Sequence, residues 1–284
     1  MRLNVVAGVC GMFWVAASFG MPLPLLMERL KVSGFELGIL AATRQLAMLA
    51  QLPAAFLAEW LPGRKPFWAA VALVHRALWL VPALLPWVWR EGRGYWALSI
   101  IIALGMSEML GTASTAAWQS WMADLLPPAR AGRFWGARQR VLSTALIVAA
   151  LSYGWALDVF SGEDGAFLGF TIVFAMTAVL GMADIVVHWF VHEPVPHRSA
   201  PEATVWQRVK APLRSRDFVW LTLAMGVWAA ALALPGYSNS QGLPGFFCVV
   251  YLKEGFGANY SQASWIVIAS AVGTVLAAPR LLFA

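Results

Sequence analysis

Eight times this chain runs for about 17–27 residues with almost no charge, and its charges collect in the gaps. The runs cover roughly 4–27, 36–59, 67–89, 96–122, 141–158, 167–191, 218–236 and 262–282. At about 1.5 Å per residue, each is long enough for a hydrocarbon layer of about 30 Å. Lipid offers the backbone no hydrogen-bond partner, so runs of this kind cross as helices. The pattern predicts an all-α polytopic membrane protein embedded in a lipid bilayer. Composition agrees: 12% of the residues are charged, against about 25% in an ordinary soluble domain. The first run stays uncharged from Asn4 to Met27, which is longer than the apolar core of a signal peptide.

Lysine and arginine in the gaps set the expected orientation. One side would hold Arg2, Arg64, Lys65, Arg130, Arg133, Arg138, Arg140, Arg198, Arg208, Lys210, Arg214, Arg216 and Arg280, thirteen in all. The other would hold Arg29, Lys31, Arg90, Arg93 and Lys253. Thirteen against five puts both termini in the cytosol, with the plasma (inner) membrane as the expected site. The stretch MADLLPPARAGRFWGARQRV (122–141) reads as a cytosolic loop held inside by its four arginines. A net charge of +6 is a topology signal here. The basic residues lie between apolar runs rather than along one stripe, which argues against nucleic acid.

Two cysteines, Cys10 and Cys248, both in apolar runs, make neither a disulfide framework nor a zinc pattern. HExxH, GxSxG, Walker and GxGxxG signatures are absent from the sequence, so neither an enzyme nor a cofactor is expected.

The longest polar gap is EPVPHRSAPEATVWQRVKAPLRSRD (193–217). Three prolines precede a basic segment with Val205, Trp206, Val209 and Leu213 as its apolar residues. This predicts a linker followed by a short amphipathic helix. It divides residues 1–192, with six spans, from 218–284, with two. Ser33 to Glu36 opens the second run with a capping-box pattern, and Asn259 to Gln262 opens the eighth with a similar one. At the same offset Pro53 falls on Pro279. The region after the linker thus restarts the first.

Six spans, a basic linker and a restarting second part resemble the major facilitator superfamily. Ala55-Phe-Leu-Ala-Glu59-Trp60-Leu-Pro-Gly63-Arg64-Lys65 resembles the loop between helices two and three of that family. Ala55 stands for a Gly, Glu59 for an Asp and Trp60 for a base, and one residue is inserted. Trp118-Gln-Ser-Trp121-Met-Ala-Asp124-Leu-Leu-Pro127, with Arg130, Arg133, Gly136 and Arg138, is similar to the loop after helix four. The resemblance covers the whole chain but stops at eight spans where twelve are usual. It implies a six-helix N-terminal half plus the first two helices of a C-terminal half. Two explanations stand open, a truncated sequence or a unit that works with a partner chain.

Charges inside the membrane are the natural functional residues, because each is costly there. Arg44, Arg76 and Glu108 lie deepest within their runs. The functional reading pairs Glu108 with Arg44 or Arg76 and couples that pair to solute or proton binding; the plain reading is a permanent structural pair. The resemblance implies that helices one, two, four, five, seven and eight line a cavity, with helix three outside, which favours Arg44 as a cavity residue. Two arginines against one glutamate point to an anionic solute. Glu59, Gly63, Arg64 and Lys65, with Asp124, Arg130, Arg133 and Arg138, read as conformational latches at the cytosolic helix ends, or as topology signals alone.

Asp184, His188 and His192 share one face of the sixth run. They read as a metal site or proton relay, or as interfacial polar residues; no metal is assigned. Pro235 to Gly245 interrupts the seventh run, and Asn239 and Gln241 are solute candidates if the backbone there faces a cavity. The tryptophans, Trp118 and Trp121 among them, read as interfacial anchors. The resemblance implies a secondary active transporter, a permease moving a small solute by alternating access with a proton or other ion. Two further classes stay open: a non-transporting scaffold or sensor, and a membrane enzyme, for which the catalytic cluster is missing.

Overall fold

The structure is a computed structural model that describes residues 2–60, 63–160, 167–194, 205–233 and 253–277. Among these, helices account for nearly all of the regular structure and no strand occurs. Five helical stretches are long and apolar enough to cross a membrane: Arg2–Arg29, Arg64–Val88, Arg90–Leu125, Ala129–Phe160 and Leu168–Trp189. The chain is a multi-pass membrane protein. The other three expected spans are helical where described but are not among these five.

The first stretch is broken. Helix α1 (Arg2–Ser18) ends before Phe19–Gly20–Met21, and α2 (Pro22–Arg29) follows. Pro22 and Pro24 lack the N–H groups that would bond the Ser18 and Gly20 carbonyls. Gly20 is required at the corner, because a methyl group there would sit 2.2 Å from the Ala16 carbonyl oxygen. The second stretch starts at a capping box. Ser33 Oγ accepts from the Glu36 N–H at 3.3 Å, and Glu36 Oε2 accepts from the Ser33 N–H at 2.8 Å. Two otherwise unpaired donors are satisfied at the start of α3 (Gly34–Ala47). Ser33→Ala is expected to cost about 1 kcal/mol, read as thermal unfolding in detergent.

A short 3-10 turn (Met48–Ala50) joins α3 to α4 (Gln51–Trp60). The third stretch is split into α5 (Arg64–Ala77) and α6 (Leu80–Val88), where Pro82 cannot donate to the Leu78 carbonyl. Helix α7 (Trp96–Leu125) follows a second 3-10 turn (Arg90–Tyr95).

Helix α8 (Pro128–Phe160) corrects the loop reading of 122–141. The four arginines lie on its first turns, and only Leu126 and Pro127 separate it from α7. Pro128 has the fixed φ that suits a first helical position, and the alanines, arginines and Gln139 after it are good helix formers. At 33 residues α8 is about 50 Å long, so its first turns extend beyond a hydrocarbon layer of about 30 Å.

Helix α9 (Leu168–Trp189) is the centre of the bundle and packs on α1, α5, α6 and α8, while α7 packs on α3, α4 and α5. Up-and-down alternation is visible in which ends meet. At the arginine-rich end Arg64 meets Asp124 and Glu193; at the opposite end Trp96 stacks edge-on against Phe167. The expected amphipathic segment is helix α10 (Val205–Leu213), leading into α11 (Arg216–Ala233).

The last described helix, α12 (Tyr260–Ala277), lies along α8. Its capping pattern is realised: Asn259 Oδ1 accepts from the Gln262 N–H at 2.7 Å, and Gln262 Oε1 accepts from the Asn259 N–H at 2.9 Å. Asp158, near the end of α8, adds a second cap by accepting from the N–H groups of Tyr260 and Ser261 at 3.0 and 3.1 Å.

Candidate functional site

Three polar layers cross the bundle. The first sits at the break in the first stretch. Pro22 leaves the Ser18 carbonyl without a helical donor, and Arg44 Nη2 takes it. Arg44 also donates to Ser18 Oγ at 3.1 Å, and its guanidinium lies 4.5 Å from the centre of the Phe19 ring. Its Nε stands 3.3 Å from Glu108 Oε1, with both side chains 13% exposed. Ser18 Oγ reaches the same carboxylate oxygen at 3.5 Å. Glu108 thus pairs with Arg44, one of the two expected partners.

Arg76 belongs to the second layer. Its Nη2 reaches Asp184 Oδ2 at 3.4 Å, and its guanidinium is 3.8 Å from the Trp14 ring centre. Among the described residues its Nε and Nη1 have no hydrogen-bond partner. Asp184 also accepts from His188 Nδ1 at 2.9 Å, and His188 Nε2 lies 3.1 Å from Asn4 Nδ2. Asn4 Oδ1 accepts from Arg138 Nε at 2.8 Å. The chain Arg76–Asp184–His188–Asn4–Arg138 therefore runs through α5, α9, α1 and α8. Asp184 and His188 are 7% and 3% exposed, so they are core residues, not interfacial ones. His192 lies outside the cluster; its carbonyl accepts from Trp121 Nε1 at 3.0 Å. No group of three metal-ligating side chains occurs among the described residues.

Glycines make room for these charges. A methyl group at Gly11 would come within 2.8 Å of Asp184 Oδ2, one at Gly181 within 2.8 Å of Arg76 Cδ, and one at Gly8 within 2.8 Å of Arg138 Nη2. The charged side chains therefore lie directly against the glycine backbone of the neighbouring helix.

The third layer lies at the arginine-rich end. Arg64 donates to Asp124 Oδ2 and to Ser120 Oγ, both at 2.7 Å. Of the residues expected to form a latch, Arg64 on α5 and Asp124 on α7 meet. Glu193 joins them: its Oε1 accepts from the N–H groups of Arg64 and Lys65 at 2.9 and 3.2 Å, capping α5. Lys65 Nζ donates to the Val191 carbonyl at 3.0 Å. Arg130 and Arg133 are exposed. Arg138 turns inward, with its guanidinium 5.6 Å from the Trp118 ring centre and 5.4 Å from that of Trp135. Glu59 lies in α4, and Gly63 precedes α5. Asn239 and Gln241 lie outside the described residues.

The tryptophan expectation needs correction at several positions. Trp68, Trp79 and Trp121 are 5%, 0% and 0% exposed; they wall the polar layers instead of marking the lipid interface.

At the opposite end α12 and the segment before it are tied to the first six runs. Lys253 Nζ donates to Glu28 Oε2 at 2.6 Å and to the Tyr260 hydroxyl at 3.3 Å. Burial is the largest single influence and works against its ammonium, but the hydrogen bonds and charge attraction of Glu28 and Tyr260 together outweigh it, and its pKa is raised. A cavity between α1, α8 and α12, lined in part by Ala16, Tyr153, Tyr260 and Ser264, holds about 10 Å³, the scale of one water molecule.

Asn4 and Glu193 were not anticipated from sequence. The available signals were a carboxamide inside the first apolar run and an acidic residue just past the sixth. Compared with known protein families, curated proteins and solved structures, the chain matches none.

Proposed function

We propose that this chain is a secondary active transporter of the major facilitator type, moving a small solute by alternating access with an ion gradient. In this reading it comprises a six-helix half and the first two helices of a second half. Both termini face the cytosol, and the chain sits in the plasma (inner) membrane. One observation carries the proposal: the Arg44–Glu108 pair lies deep in the bundle at a proline-broken helix, bonded to the carbonyl that the break releases. Discontinuous helices with freed backbone groups are where transporters build solute and ion sites. Charged groups at such depth are expensive, which makes them functional-site candidates by default.

Two further features support the reading. Lys253–Glu28 and the Asp158 cap close one end between the expected halves, as one state of an alternating cycle requires. In the first two polar layers the part-buried arginines Arg44, Arg76 and Arg138 outnumber the carboxylates Glu108 and Asp184, which favours an anionic solute. The test is uptake into pyranine-loaded liposomes across a panel of small organic acids, amino acids, sugars and organic cations. A transporter gives solute-dependent pH change with at least one class, organic acids first. Full insertion with no flux for any class would overturn the proposal in favour of a scaffold or sensor.

A further inference from the structure

The hydrogen-bond directions in the Arg76–Asp184–His188–Asn4–Arg138 chain are fixed from its ends. A guanidinium only donates, so the atom of Asn4 facing Arg138 Nε is its carbonyl oxygen, 2.8 Å away. The carboxamide NH2 then faces His188 Nε2 at 3.1 Å and Met122 Sδ at 3.2 Å. His188 Nε2 must accept, so the imidazole proton is on Nδ1, donated to Asp184 Oδ1 at 2.9 Å. Trp118 Nε1 points at the same Nε2 from 3.5 Å. In this conformation His188 is neutral, with its lone pair facing two donors.

One group there would hold a cation: the Asp184 carboxylate accepts from Nδ1 at 2.9 Å. The rings of Trp68 and Trp121 meet the imidazole in T-shaped contacts at 5.3 and 6.5 Å, while Trp118 turns its N–H edge toward Nε2. The other ionisable groups of the layer are Arg76 on α5, Arg138 on α8 and Cys10 on α1, while α7 contributes Trp118, Trp121 and Met122.

Resting on the transporter reading above, we infer that His188 is the binding site of the coupling proton, and that Asn4 makes proton binding and the α1–α8 clasp mutually exclusive. A proton arriving at Nε2 takes the lone pair that Asn4 and Trp118 now face, so the Trp118 N–H must turn away. The imidazolium presents an N–H to the carboxamide NH2, so Asn4 must rotate its oxygen toward His188. That rotation turns the NH2 toward Arg138, setting donor against donor, and Arg138 leaves α1. No bond forms other than N–H, and the site gains one positive charge facing Asp184. Arg138 lies on the helix that carries Asp158 and, through it, the start of α12. Proton binding is thereby connected to the contact between the expected halves.

The experiment reads the clasp directly. Spin labels are placed at Leu3 on α1 and Gln139 on α8, both exposed, with Cys10 and Cys248 replaced by alanine. Distance distributions are recorded between pH 5 and 8, the interval in which histidine changes charge. The expected result is a shift to longer distance on acidification. His188→Gln removes the shift. Asn4→Asp also removes it and stays at the short distance, because a carboxylate accepts from Arg138 and from the imidazolium together. No shift in the parent protein, or a shift that survives His188→Gln, overturns the inference. Pyranine flux separates the two proposals. A pH-dependent clasp with no flux for any solute sinks the transporter reading and leaves the switch. Solute flux with unaltered proton movement in His188→Gln sinks proton coupling at His188 and leaves transport.

Discussion

Glu108→Ala is expected to cost about 3–5 kcal/mol of stability and to abolish uptake. The loss follows from what remains behind. Arg44 would stay buried beside Ser18 and Phe19 with its carboxylate removed, and an unpaired buried charge is far costlier than no pair at all. The conservative variant separates fold from function. Glu108→Gln keeps the shape and an oxygen for Arg44, so it should insert and unfold nearer to the parent while uptake is still lost. Removing both partners, as Arg44→Gln with Glu108→Gln, should recover most of the stability and none of the transport. Thermal unfolding in detergent and liposome uptake read the two quantities separately. Full uptake by Glu108→Gln would exclude a role for that carboxylate's charge.

Asp184→Ala should be at least as damaging, at about 3–5 kcal/mol. Among the described residues Arg76 already leaves two guanidinium nitrogens without partners, and Asp184 supplies its salt bridge. The same change removes the carboxylate acceptor of His188 Nδ1 and leaves it only the carbonyl of residue 184, at 3.2 Å. The Nδ1–H tautomer, in which Nε2 accepts from Asn4, is then held less firmly. The expected signature is therefore double: lower thermal stability, and a looser Arg138 contact at every pH. An Asp184→Ala protein as stable as the parent would show that Trp14 alone suffices to hold Arg76.

These charges were partly legible in the sequence. Arg44, Arg76 and Glu108 interrupt long apolar runs, so depth and sign narrowed the partner of Glu108 to one of two arginines. Arg76 was equally visible, but its partner was not. Asp184 lies 108 positions away and falls toward the end of the sixth run, where a carboxylate reads as facing water. What buries it is the close approach of α1 at Gly11, a property of two helices together. Arg138 was grouped with its neighbours by charge, although it turns to Asn4 while Arg130 and Arg133 face outward. The capping patterns at Ser33 and Asn259 were readable because a cap is local. The helical start of α8 was obscured by the opposite effect: arginine density marks topology, and it says nothing against a helix. The interruption around Pro235 to Gly245 lies outside the described residues.

Helix α8 has a consequence for how the two ends of the molecule communicate. Arg138 and Asp158 are fastened to different neighbours at points about 30 Å apart along one continuous rod. If the rod tilts by about 5° around the midpoint between them, each fastening moves by roughly 1.3 Å, in opposite directions. Hydrogen bonds of 2.8–3.1 Å do not survive that displacement. The helix works as a balance beam whose ends cannot both swing and both stay tied, so loosening either fastening lowers the strain on moving the other. Damage at Asp158 should therefore be felt at Asn4, although no atom of one approaches the other.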